Sequence, residues 1–353
     1  MRAGGPAPSV VAGADDVTSS SSLTGTDSRR EGRGSLARGP MELSVLFAGT
    51  GGSVPSARRG LPALLVRRGG DRILIDCGEG TQRQLLCSVG LPDVTDVFLT
   101  HLHADHWLGL PGLLKTLDLR DRERPLDVHG PRGTEQLLGL LRPVYGRTAY
   151  PLRIVELEPG ETVRRDGYAI APFAVAHRGR ALGYALVEDE RPGRFDPARA
   201  QALGVRPGPD FGRLQHGETV AGVRPEEVMD PPRPGRRVVV SGDTAPCRTL
   251  AEAADHADLL IAEATFLHED AERARQTGHS TARAAATLAA EAQVRLLALT
   301  HLSIRYPPSA VRDEAREVFP GTVIPRDFDT VELPLPERGA PELLRFSDVA
   351  VAR

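Results

Sequence analysis

The chain has 353 residues, 26% of them charged and 4% aromatic, with a formal net charge of −3. That length can bury a sizeable core as one large domain or two ordinary ones. So small a net charge excludes binding to nucleic acid or an acidic membrane through bulk charge alone, and no apolar run approaches the length of a membrane span. Of the 44 Lys and Arg residues only Lys115 is lysine. Guanidinium forks suit a phosphate-rich ligand, although a codon bias toward Arg, matched by abundant Ala, Gly and Pro, accounts for the same excess. Cys77, Cys87 and Cys247 are odd in number and show no C-x-x-C spacing, which argues against a secreted disulfide scaffold and for a reducing, cytoplasmic setting.

Residues 1–40, including "TSSSSLTGTDS", lack apolar periodicity and are expected to form a disordered tail. Met41, at the head of "MELSVLFAGTGGSVP", reads as an alternative start, and no leader pattern of positive charge followed by apolar residues precedes it. "LSVLFAG", "PALLVRR" and "RILIDCG" read as neighbouring strands, and strands alternate with helices after them, an α/β pattern. "GTGGS" at 49–53 fits a tight turn and matches neither the dinucleotide fingerprint nor the phosphate loop. Helices are expected at 78–88, 109–118, 133–141, 247–255, 280–292 and 308–318, the fifth capped by Ser280 ahead of "TARAAATLAAEA". Residues 188–220, rich in Gly, Pro and charge, interrupt two strand patterns and are too long for a simple connection, so they read as an inserted arm. The main domain is expected over 41–335, with 336–353 as a C-terminal extension.

Strand-like runs repeatedly end in a metal-affine side chain. "VFLT" leads into His101, "FAVA" into His177, "VVVSG" into Asp243, "LLIA" into Glu263 and "LLALT" into His301. Near-continuous apolar runs indicate strands buried on both faces, and functional groups of open α/β sheets gather beyond the carboxyl ends of strands. "THLHADHWLG" adds His103, Asp105 and His106 beside His101. Imidazole and carboxylate without a thiolate cluster suit zinc or a borderline ion such as manganese. Seven of these side chains are enough for two ions, and a pair roughly 3.5–4 Å apart activates water for displacement at phosphorus.

The spacing H-x-H-x-D-H resembles the signature of the metallo-β-lactamase superfamily. With "FAGTGGSVP", "DCGEGTQRQ", "HADHWLGLPGLL", "DERPGRFD", "LGVRPGPDFGRL", "EAT", "GHST" and "THLSIRY", residues 41–333 are similar to the ribonuclease Z family of transfer-RNA 3′-processing endonucleases. The resemblance implies an α/β fold, the four-layer αββα sandwich, with the arm inserted in it. It also implies zinc, two ions per chain: His101, His103 and His177 on one, Asp105, His106 and His301 on the other, and Asp243 bridging. Asp105 would take the proton of the attacking water, His279 oriented by Glu263 would protonate the leaving 3′ oxygen, and Arg305 would hold the scissile phosphate. Precursor transfer RNA would be gripped by the arm, in a homodimer where one subunit's arm serves the other's site.

Two departures stand out. Ala262 replaces the His that often precedes Glu-Ala-Thr, and the loop "PSARRG" at 55–60 lacks the Lys and Asn with which the family helps reject CCA-ended transcripts. The arm's five Arg are outnumbered by six acids, so any grip on RNA rests on Arg placement and backbone amides.

Blander readings apply elsewhere. "GHSTA" misses the nucleophile elbow by Ala282. His129, His216, His256 and His268 lie outside any motif, and Cys77 and Trp107 read as packing residues. Rival functions are a phosphodiesterase for cyclic nucleotides or small diesters, a lactonase or thioesterase, and a non-enzymatic RNA-binding protein. The arm disfavours the first, the "GHST" acid and Arg305 the second, and the complete ligand set the third.

Overall fold

The computed structural model describes residues 42–347, so the expected tail at 1–40 and Met41 lie outside the described residues. The first half forms β1 (Leu43–Gly49), β2 (Ala63–Arg68), β3 (Asp71–Ile75), α1 (Thr81–Ser88), β4 (Asp96–Phe98), α2 (Ala104–Trp107), α3 (Leu110–Asp118), β5 (Leu126–Pro131), α4 (Thr134–Tyr145) and β6 (Leu152–Leu157). The chain continues through β7 (Val163–Arg165), β8 (Tyr168–Ala174), β9 (Leu182–Glu188), α5 (Pro197–Ala202), α6 (Pro209–Gln215), β10 (Arg237–Val240), α7 (Arg248–Ala254) and β11 (Leu259–Glu263). It closes with α8 (Ala271–Thr277), α9 (Ala282–Glu291), β12 (Leu296–Thr300), α10 (Pro308–Val318), β13 (Thr322–Val323), β14 (Thr330–Glu332) and β15 (Glu342–Leu344).

Two mixed sheets result, ordered β15-β14-β1-β2-β3-β4-β5-β6 and β13-β12-β11-β10-β9-β8-β7. Alternation along β1 shows why both bury their two faces. Val45 and Phe47 join Ile73, Tyr184 and Ile261 in a core between the sheets, whereas Leu46 and Ala48 pack outward with Leu85, Leu114 and Leu138 of the helices. The second sheet is covered likewise, with Leu260 and Leu297 against Leu250, Leu288 and Val311. The architecture is the αββα sandwich.

The strand ends that carry the candidate ligands come from both sheets: β4 lies in the first, while β8, β10, β11 and β12 lie in the second, so the candidate site forms where the two sheets meet. Three local expectations change. Helix α9 is capped by Thr281, whose hydroxyl accepts from the Ala284 amide at 3.1 Å; Ser280 is buried and donates to the Thr244 carbonyl at 2.6 Å. The excursion expected at 188–220 runs on to β10, because Val223, Val228 and Met229 share a small core with Ala200, Leu214 and Phe211. Within the expected extension at 336–353, β15 pairs antiparallel with β14, Leu343 opposite Val331, and is an edge strand of the first sheet.

Candidate metal centre

The loop after β4 carries His101 and His103, α2 carries Asp105 and His106, and His177, Asp243 and His301 follow β8, β10 and β12. Potential ligand atoms of His101, His103, His177 and Asp243 lie within 4.8 Å of one another, as do those of Asp105, His106 and His301. Asp243 stands between the groups: its Oδ2 is 3.7 Å from His101 Nε2 and 3.3 Å from His301 Nε2, and its Oδ1 is 3.4 Å from His106 Nε2. Asp105 Oδ2 is 3.7 Å from His106 Nε2 and 3.5 Å from His301 Nε2, and His177 Nε2 is 3.3 Å from His103 Nδ1. These separations exceed ordinary hydrogen bonds, but two ligands each about 2.0–2.1 Å from a tetrahedral ion stand roughly 3.3–3.4 Å apart.

Buried atoms without a hydrogen-bond partner make the same point. His101 Nε2, His106 Nε2, His301 Nε2 and Asp243 Oδ1 are all such atoms, and leaving one buried polar group unmade costs about 1–3 kcal/mol. The opposite ring nitrogens, in contrast, are held. His106 Nδ1 meets Asp76 Oδ2 at 2.8 Å, His301 Nδ1 meets the Thr265 hydroxyl at 2.8 Å, and His101 Nδ1 meets the Thr100 hydroxyl at 3.1 Å, while His177 Nδ1 likewise donates to the Gly278 carbonyl at 2.7 Å. Such outer partners fix ring orientation and aim the other nitrogen at an ion. Burial, then the neighbouring His106 ring, pushes His101 well below its ordinary pKa and keeps its lone pair free. Burial works against ionised Asp243, yet the His301 and His106 rings outweigh it and hold that carboxyl well below the usual range. A neutral imidazole facing a buried carboxylate fits a divalent cation. Another grouping, Asp96, Asp127 and His129, already has its cation: Arg165 bonds Asp96 and lies 3.7 Å from Asp127.

His279 adjoins the cluster, with ring centroids 5.0 Å from His177 and 5.6 Å from His301. Its Nδ1 lies 2.9 Å from Glu263 Oε1. Burial opposes its charge, but Glu263 outweighs burial and raises the pKa. Glu263 is itself held by the Thr244 amide and the Thr265 hydroxyl, each at 2.6 Å, while Ala262 packs in the core of the second sheet. Arg305 is exposed, its guanidinium 5.6 Å above the Phe266 ring, which in turn lies 6.1 Å from His279. It also lines an open groove of about 1300 Å³ together with Arg58, Arg312, Arg316, Arg326 and Arg345, against one acid, Asp327. The Arg excess is thus locally concentrated even though the chain as a whole is weakly acidic.

Sequence reasoning missed several supporting residues. Asp76 and Thr265 follow or lie near strand ends, in "LIDCG" and "EAT", a signal that could have found them. Ser53 donates its amide to Asp105 Oδ2 at 2.9 Å. Gly52 lies so close to His301 that a Cβ there would stand 2.7 Å from its Cγ, so this glycine serves close approach to the ring. His129 is buried with Nε2 at 3.1 Å from Asp96, and Trp107 donates to the Leu102 carbonyl at 3.0 Å.

The double sandwich, with a histidine–aspartate cluster where its sheets meet, defines a protein of the metallo-β-lactamase fold, and the family described as "Beta-lactamase superfamily domain" matches residues 71–302. The chain is 48% identical to ribonuclease Z of Haloferax volcanii over 83% of this chain and 96% of that one, and 47% identical to ribonuclease Z of Myxococcus xanthus over 83% and 98%. The crystal structure of human tRNase Z, short form, is similar with a TM-score of 0.62 at 26% identity, covering 83% of this chain and all of that one. The chain belongs to the ribonuclease Z family.

Proposed function

We propose that the protein is a metal-dependent endoribonuclease that removes the 3′ trailer of precursor transfer RNA by hydrolysing one phosphodiester bond. The observation that carries this reading is the convergence of three unpartnered buried imidazole nitrogens on Asp243. Two zinc ions would be held there, one by His101, His103 and His177 and one by Asp105, His106 and His301, with Asp243 shared; manganese suits the same donors. When bound, such ions acidify water and neutralise charge on the phosphate.

The chain's own groups supply proton transfer and positioning. Asp105, held ionised by the His301 and His106 rings against the effect of burial and anchored by the Ser53 amide, accepts the proton of the attacking water. His279 hands its Nδ1 hydrogen bond to Glu263, which leaves Nε2–H to protonate the departing ribose 3′ oxygen. Arg305 binds the scissile phosphate, and the other groove arginines bind phosphates of the single strand beyond it, since localised guanidinium groups supply phosphate affinity that net charge does not. The arm grips the body of the transfer RNA, and a homodimer in the cytoplasm is the working form. Among the described residues no helix is long and apolar enough to cross a membrane.

The test is to incubate purified protein with a precursor transfer RNA and with a nitrophenyl phosphodiester, with and without chelator, while counting metal and measuring mass by light scattering. We expect about two transition-metal ions per chain, a dimer, and chelator-sensitive cleavage of both substrates. Diester hydrolysis without precursor cleavage would replace this reading with a small-substrate phosphodiesterase.

A further inference from the structure

We infer that Glu337 is a positioning residue that sets the angle of the arm and thereby the delivery of RNA to the catalytic centre; this rests on the function proposed above. The arm stands on a two-stranded stalk. Arg191 and Arg233 form a reciprocal backbone pair, each amide donating to the other's carbonyl at 2.8 Å, and Phe195 pairs with Met229 further out. Beyond them α5 and α6 share a core of Ala200, Leu214, Val223 and Val228 with Phe195 and Phe211. The tip is therefore a folded unit, and what the substrate meets depends on how the stalk is held.

The stalk root contains an electrostatic conflict. Two arginines directly opposite one another on a ribbon repel and destabilise the pairing. Here each guanidinium reaches over the opposite strand, Arg191 Nη2 to the Pro234 carbonyl at 3.4 Å and Arg233 Nη2 to the Pro192 carbonyl at 3.2 Å. Both converge on Glu337. Arg191 grips it with two prongs, Nη1 to Oε1 at 2.6 Å and Nη2 to Oε2 at 3.0 Å, and Arg233 Nη1 adds a third bond to Oε1 at 3.0 Å. The carboxylate thus neutralises the repulsion and ties both strands to one point.

That point is fixed to the sandwich. The Leu333 amide donates to the Leu43 carbonyl at 3.0 Å, Arg236 donates to the Leu333 carbonyl at 2.6 Å, and Arg295 donates to the Gly339 carbonyl at 2.7 Å while pairing with Asp258. The segment between β14 and β15, which touches neither the metal centre nor the arm's tip in any of these bonds, therefore rivets the stalk to the catalytic body. Two-pronged Arg–carboxylate geometry adds directional specificity to the attraction, which a hinge-fixing contact requires. Isolated surface ion pairs contribute little, but several charges joined in a network contribute more.

The experiment compares full-length wild type, Glu337→Gln and Glu337→Gln/Arg233→Gln in three readouts: KM and kcat on precursor transfer RNA, kcat on a nitrophenyl diester, and amide exchange across 189–196 and 228–236. We expect Glu337→Gln to raise KM for the precursor about 2- to 5-fold, speed exchange in the stalk, and leave diester turnover unchanged. The double variant, with one of the two repelling charges gone, should recover part of the KM and of the exchange protection. Unchanged KM despite faster stalk exchange would overturn the positioning role, as would an equal loss on both substrates. Absence of recovery in the double variant would overturn the charge account. If wild type itself left precursor transfer RNA uncut, the functional reading would fail, while stalk exchange would still report on the rivet.

Discussion

Replacing Gly52 with alanine tests the packing of the candidate metal centre without substituting any of the proposed ligands. A Cβ at this position would stand 2.5 Å from His301 Cε1 and 2.7 Å from Cγ, with Nδ1 closer still. Ordinary van der Waals contact begins near 3.4 Å, and the nearest ring atom, Nδ1, would be at 2.4 Å, so the ring must retreat by about 1.0 Å. It has nowhere free to go: His301 is 2% exposed, its Nδ1 is bonded to Thr265, and its Nε2 lies 3.3 Å from Asp243. Either the Thr265 bond breaks, at a cost of about 1–3 kcal/mol, or Nε2 shifts away from its partner ligands. A misplacement of about 1 Å at a reacting centre can cost about 10²-fold. We therefore expect Gly52→Ala to lose metal from the site that includes His301 and to lower diester and precursor cleavage together by about 10²-fold. Elemental analysis after gel filtration and steady-state kinetics at saturating zinc check this. Wild-type metal content with wild-type turnover would refute the close-approach account of the "GTGGS" turn.

His279→Ala should retain metal and RNA binding, measured by elemental analysis and filter binding, yet slow precursor cleavage about 10²–10⁴-fold. The defect should shrink on a nitrophenyl diester, whose leaving group needs no proton; equal defects on both substrates would remove the general-acid role. Glu188 concerns stability instead: it is 8% exposed and bonded to Arg236 at 2.7 and 2.8 Å and to Arg68 at 2.9 Å. Burial would raise its pKa, but Arg236 and then Arg68 outweigh burial and lower it, so its stabilisation is complete above the unfolded value of about 4.3 and is lost as pH falls through the folded value. Glu188→Gln, which removes the negative charge facing two buried guanidinium groups, should cost about 3–5 kcal/mol at pH 7, and the gap to wild type in urea denaturation should narrow below pH 4; a gap independent of pH would refute the ionic account.

Much of this protein is written locally. Residues that alternate between two cores along β1 form a strand buried on both faces, so the apolar runs could be read directly, and helix formers such as "TARAAATLAAEA" mark α9 without reference to anything distant. The candidate ligands could be read because "HLHADH" clusters four of them within one short stretch and the rest follow apolar runs. Other features depend on residues far apart in sequence. That the strand ends belong to two sheets meeting at one place follows from pairing, which apolar pattern does not encode. The cap passed from Ser280 to Thr281 because the Thr244 carbonyl, from another loop, takes the Ser280 hydroxyl. Gly52 reads as a turn residue until His301, distant in sequence, lies against it. The charges of Arg191, Arg233 and Glu337 look like solvated surface until pairing of the stalk sets two like charges side by side and the return of the chain after β14 brings the carboxylate that joins them. Periodicity reports what a segment does with its own neighbours; close approach and charge compensation between distant segments exist only once the chain has folded.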